Sequence, residues 1–192
     1  LNNINGLGIF GNDNEIDQER PQKLGLSMLP VKENRRQEIL IASQHQASLQ
    51  WEGQPLMSEW IKQTVDSIRQ YSHRKIIIRP HPRSKISINL SDVVIEMPKQ
   101  IPGTYDDFDI NYNYHCVINH NSGPAVQAAI HGVPIVCDSS SLAYPVSGKI
   151  ENIENIILPD RTEWFVNLCH TEWTVEEIAQ GIPLKRLEAK LL

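Results

Sequence analysis

The chain has 192 residues, enough for one ordinary domain with a sizeable core. Its apolar share of 40% and charged share of 21% are those of a globular chain and exclude a disordered or fibrous one. A formal net charge of -5 argues against nucleic acid or an anionic membrane surface as a whole-molecule partner. Ile76-Ile77-Ile78 and Val133 to Cys137 are among the longest apolar runs, and none approaches the roughly 20 residues that span a bilayer. The start, Leu1-Asn2-Asn3-Ile4-Asn5, has neither the basic nor the apolar region of a signal peptide. The odd set Cys116, Cys137 and Cys169 has no metal-ligand spacing and points to free thiols in a reducing compartment. Cys116 and Cys137 sit in strand-like runs and are expected to be buried.

Residues 1–34 are rich in Asn, Gly, Gln and charge, with Pro21 and Pro30 as breakers. They read as an irregular segment or a linker from a further domain, and residues 35–192 as one folded domain. Residues 38–42 form an apolar run suited to a strand buried on both faces. Leu56, Trp60, Ile61, Thr64, Val65 and Ile68 then recur at helical spacing. Strands are predicted at 75–79, where Pro80 and Pro82 stop the run, and at 92–96 and 116–119. A helix over 124–131 closes at Gly132, and a fifth strand follows at 135–138. Further on, Asp160 can cap a helix holding Trp164, Phe165 and Leu168. Thr174 and Glu177 make a capping box for a helix that Gly181 and Pro183 should end. Strands alternating with helices imply right-handed crossovers and an α/β, Rossmann-like, doubly wound parallel sheet with flanking helices.

Ligands of such sheets bind at the carboxyl ends of the strands. Those ends carry Ser43-Gln44-His45, Arg79-Pro80-His81-Pro82-Arg83, Asn119-His120-Asn121-Ser122-Gly123 and Asp138-Ser139-Ser140-Ser141. The turn at 119–123 leads into a helix whose first N–H groups and positive end suit a phosphate. Ser122 adds a hydroxyl, and Gly123 lets a ligand approach the backbone. The plainer reading is a cap supplied by Asn121 or Ser122, with nothing bound. In the second motif the prolines stiffen the loop around His81. Arg79 and Arg83 offer donors for phosphate or carboxylate. Those cations favour neutral His81 in the empty site, and a bound phosphate favours its charged form. Here too a plain structural turn with solvated arginines stands beside the functional reading.

The block 119–134, a small polar turn, a helix and a Gly-x-Pro entry to the next strand, resembles the donor-binding element of two-domain GT-B glycosyltransferases and of the related nucleotide-sugar epimerases. In those proteins the turn binds the donor phosphates and a helix carboxylate often holds the ribose. Gln127 stands where that carboxylate is expected, and an amide still hydrogen-bonds a hydroxyl. The His-Pro and Ser combination, together with the 173–178 helix, resembles the capsular polysaccharide biosynthesis family that includes Kdo transferases. It is also similar to bacterial GT-B sialyltransferases.

The resemblance implies one half of a GT-B fold that transfers a sugar from a nucleotide-activated donor in surface polysaccharide synthesis. It implies His81 as the catalytic candidate, with Arg79, Arg83, Asn119, His120, Asn121, Ser122, Gly123, Gln127, Ser139 and Ser140 around the substrate. The nucleotide-sugar is then a substrate, and no cofactor or obligatory metal is implied. The acceptor is a saccharide or a lipid-linked molecule. The place is cytoplasmic, in reach of the inner membrane. A catalytic base is expected from an N-terminal acceptor domain, and the first residue, Leu1, is consistent with a piece of a longer protein. A nucleotide-sugar epimerase and a non-catalytic nucleotide- or anion-binding module are the alternatives.

Remaining features read as structural. The acidic cluster Tyr105-Asp106-Asp107-Phe108-Asp109 can hold a metal but is more often a solvated loop. His115, His120 and His131 share no ligand spacing, so zinc is not expected. A Walker A loop is missing from the sequence.

Overall fold

The computed structural model describes residues 16–84, 86–104, 108 and 112–191. Among them five parallel strands form one sheet: β1 (Ile39–Ala42), β2 (Ile76–Arg79), β3 (Val93–Ile95), β4 (Cys116–Ile118) and β5 (Ile135–Val136). Their spatial order is β3-β2-β1-β4-β5, and every pairing is parallel. The expected Rossmann-like α/β sheet is therefore present. Its strand order reverses between β1 and β4, which open the crevice where such sheets take their ligands.

Side chains leave the strands alternately to two faces, and each face builds its own core. Ile39 and Ile41 of β1, Ile76 and Ile78 of β2, and Cys116 and Ile118 of β4 meet the helix α2 (Met57–Arg69) through Met57, Ile61, Val65 and Ile68. Leu40 and Ala42, Ile77, Val117 and Ile135 point the other way. They meet α3 (Gly123–Ile130) through Ala125, Ala128 and Ala129, and α4 (Thr162–Leu168) through Trp164 and Phe165. The three alanines are fully buried, so α3 lies close on the sheet.

Several boundaries shift from those predicted. The α2 stripe starts at Met57; Leu56 has an extended ψ, precedes the helix and is exposed. The Gln46 side chain accepts from the Met57 N–H at 3.1 Å and closes the start of α2. Strand β5 stops at Val136, so Cys137 begins the next turn, gives its N–H to Ser147 Oγ at 3.0 Å and is half-buried. Cys116, on a central strand, is buried, and burial pushes its thiol up to about 12. The capping box at Thr174 and Glu177 opens α5 (Val175–Ala179) as the spacing predicts. Gly181, at φ +71°, ends it, and Pro183 lies in the first turn of a further helix, α6 (Ile182–Leu191).

The described part of the N-terminal segment is mostly irregular, with one short helix, α1 (Arg20–Lys23). It forms a strap docked on the α3 side of the sheet. Leu29 and Lys32 give their N–H groups to the carbonyls of Ile130 and Gly132, both at 2.9 Å. Gly132 has φ +78°, and a Cβ there would strike the Pro30 carbonyl. Arg20 fastens the other end of the strap. Its buried guanidinium forms a two-point ion pair with Glu177 and donates to the carbonyls of Cys169 at 2.6 Å and Glu172 at 2.8 Å.

The hydrogen bond from Arg20 holds the Glu177 carboxyl at about 2; burial opposes this, and the Thr174 N–H assists it. A carboxyl held below its ordinary value stabilises the fold above that ordinary value and loses the contribution as pH falls. Glu177→Gln should therefore lower the melting temperature at pH 7. The gap to the parent protein should close as pH falls from about 4.5 towards 2. Melting both proteins at pH 7, 4 and 3 checks this, and a gap of constant size would contradict it.

Candidate functional site

The crevice between β1 and β4 is closed at its base by one side chain. Asn119 follows β4, is 1% exposed, and donates from Nδ2 to the Ala42 carbonyl of β1 at 2.7 Å. The same amide donates to Ser122 Oγ at 3.0 Å and accepts the Ser122 N–H at Oδ1, at 2.8 Å. Asn119 therefore secures the turn that leads into α3. Ser122 is the N-cap residue, but its hydroxyl caps no N–H of the helix. The first-turn amides are thus left for a ligand.

Across the crevice, the β1 and β2 ends are joined by the Ser43 N–H, which donates to the Arg79 carbonyl at 3.0 Å. The turn after β2 brings His81 and Arg83 towards the start of α3. A cavity of about 280 Å³ lies between them, lined by Arg79, His81, Arg83, Ser122, Gly123 and Tyr112 among others. Among the described residues no carboxylate lines it. Phe108 also lies on this lining, while Tyr105, Asp106, Asp107 and Asp109 of the acidic cluster fall outside the described residues.

The arginines differ. Arg79 is buried and donates from Nη2 to the Tyr114 hydroxyl at 3.1 Å, and that hydroxyl donates to Glu96 at 3.4 Å. Glu96 also lies 3.7 Å from the Arg79 guanidinium. Burial raises the Tyr114 hydroxyl above its ordinary value, with the Arg79 charge opposing. Arg83 is exposed at the rim. The His81 ring is half-buried; its Nδ1 accepts the Arg83 backbone N–H at 3.2 Å.

Other residues singled out from the sequence lie elsewhere. His120 points to the α2 face and packs edge-on against Trp51 and Trp60, with ring centroids 4.9 and 6.2 Å away. Strand parity carries the signal for this, because 118 and 120 share a face that 119 does not. Asn121 is buried and donates to Ser140 Oγ at 3.0 Å. Ser140 in turn gives its N–H and hydroxyl to Asp138, at 2.9 and 2.7 Å. Burial pushes the Asp138 carboxyl up, but these donors and nearby His120 outweigh it and hold it below the ordinary range. Ser139 is exposed beside this turn. Gln127, one turn along α3, faces a second and larger cavity of about 650 Å³ between the strap, α3 and the 165–174 segment. Gly123 borders both cavities. Tyr112, Tyr114 and Glu96 carried no sequence signal; they come from the segment around β3 and from just before β4.

Among the described residues, no three His, Cys, Asp or Glu side chains are grouped to hold a metal ion. No helix there is long and apolar enough to cross a membrane. No protein-family model matches the chain, and no curated protein matches it significantly.

Asn119→Ala would leave the Ala42 carbonyl and the Ser122 N–H without their buried partner. The expected loss of folding stability is about 1–3 kcal/mol, and Asn119→Asp, which cannot donate to Ala42, should also destabilise. Urea unfolding measures both; losses below about 0.5 kcal/mol, the scatter of ordinary surface changes, would refute the role.

Proposed function

We propose that this chain is the donor-binding half of a sugar transferase whose donor is a nucleotide-activated sugar. The observation that carries the reading is the meeting of two motifs on one cavity. The Arg79–Arg83 turn and the Ser122–Gly123 start of α3, 39 or more residues apart in sequence, face each other at the carboxyl edge of a parallel sheet. Arg83, the His81 ring and the first-turn N–H groups of α3 other than Pro124 are donors, and the Ser122 hydroxyl, which gives its proton to Asn119 Oδ1 at 3.3 Å, can turn to become one. Together they suit a phosphoryl group that gains charge as it leaves. The resemblance to GT-B transferases of capsular polysaccharide synthesis supports the same assignment.

In such a transfer the bond between the anomeric carbon and the donor phosphate oxygen breaks. The acceptor oxygen bonds to that carbon and gives its proton to a base. These donors steady the departing phosphate. Among the described residues the cavity offers no carboxylate as base, and the His81 Nδ1 lone pair is taken by the Arg83 N–H. On this reading a GT-B partner domain supplies the base. The same observation favours a second reading, in which this chain binds a nucleotide or another anion without turnover.

A thermal-shift panel of CMP, CDP, UDP, GDP and their sugars tests the binding. A ligand at about 100 times its dissociation constant should add about 2.7 kcal/mol of stability. His81→Ala should keep the fold, because the ring is at the cavity, and should weaken the binding nucleotide about tenfold or more. Unchanged affinity in a well-folded variant would remove His81 from the site.

A further inference from the structure

His81 on the cavity lining has a second imidazole, His45, packed against it, and both rings are held the same way. His45, in the turn after β1, lies edge-on to His81 with ring centroids 5.2 Å apart and an interplanar angle of 85°. The His45 Nδ1 accepts the backbone N–H of Ala47 at 3.1 Å, as the His81 Nδ1 accepts that of Arg83. An Nδ1 that accepts carries no proton, so in each neutral ring the proton is on Nε2. The turn that bears His45 is itself tied down, by Ser43 to Arg79 on one side and by Gln46 to the start of α2 on the other.

We infer that His45 is a positioning residue that locks His81 in its Nε2–H form, and that His81 meets the anion as a neutral donor. This rests on the reading of the cavity as an anion site and specifies how the anion is held. Protonating either ring would put a hydrogen on Nδ1, facing a backbone N–H, and would break the bond that orients the ring. Among the described residues, two charged groups on the cavity lining act on the anion instead: Arg83 on the same turn, and Arg79 behind it, already joined to Tyr114 and Glu96. His81 is thereby a donor to the phosphoryl group and not a base. The perpendicular contact with the His45 ring keeps the His81 ring from turning about its χ2 bond, which would exchange Nδ1 for a carbon.

The test uses the full chain with histidine labelled with ¹⁵N. In the ligand-free protein, His81 should show a pure Nε2–H pattern at pH 7.5. His45→Ala should give an averaged pattern at His81, and His45→Phe, which keeps a ring edge, should restore the pure one. With inorganic pyrophosphate as probe, His45→Ala should weaken binding about three- to tenfold and His45→Phe should recover most of it. Titrating in two buffers of different ionisation enthalpy should show no proton taken up on binding. An unchanged His81 pattern in His45→Ala, or uptake of about one proton per pyrophosphate, would overturn the inference. Failure of the parent protein to bind pyrophosphate would overturn both the anion-site reading and the donor role. The free-protein spectra would still decide whether His45 locks the ring.

Discussion

The Asn119 side chain holds together three parts that the chain makes separately: the end of β1, the end of β4 and the start of α3. Two parallel strands that feed helices on opposite faces diverge at their carboxyl ends, and the divergence leaves backbone groups without ladder partners. Here one amide supplies both a donor and an acceptor at that point. A hydroxyl would be too short to serve both sides, and a carboxylate could not donate to Ala42. Because the Ser122 N–H is already satisfied from below, the amides above it are available to a ligand. The cavity thus depends on a residue that does not line it.

Rigidity on the opposite wall has a different source. The two prolines restrict the turn at 80–82, the Ser43 N–H pins it to β1, and Arg79 is sandwiched into the Tyr114 and Glu96 relay. A buried arginine costs desolvation, which its hydroxyl and carboxylate neighbours offset. The result is a fixed positive charge behind the cavity and an exposed one, Arg83, in front. Preorganised charge of this kind needs little rearrangement when an anion arrives.

Much of this was legible from local sequence. The four-residue apolar runs read as strands because buried parallel strands have no polar face, and the Thr174 box is a contact over three residues. The His-Pro turn and the Ser-Gly turn were each visible, and their order along the chain suggested one site. What was hidden depends on distant partners. Gln46 closes α2 from eleven residues away, and Arg20 reaches Glu177 across most of the domain. Tyr114 and Glu96 were hidden for the same reason. His120 was placed at the site by proximity in sequence, although alternation along β4 turns it to the other face.

The link between Arg20 and Glu177 also bears on how the protein is made. The two residues are 157 positions apart. A ribosome adds roughly 5–20 residues per second, so Arg20 emerges roughly eight to thirty seconds before its counter-charge exists. For most of that interval the strap also lacks Gly132 and the end of α3 to close against. The central strands β1 and β2 can pair within this time, since the segments that form them are made early. The strap is then made before the sheet it docks on and is among the last parts to find its place.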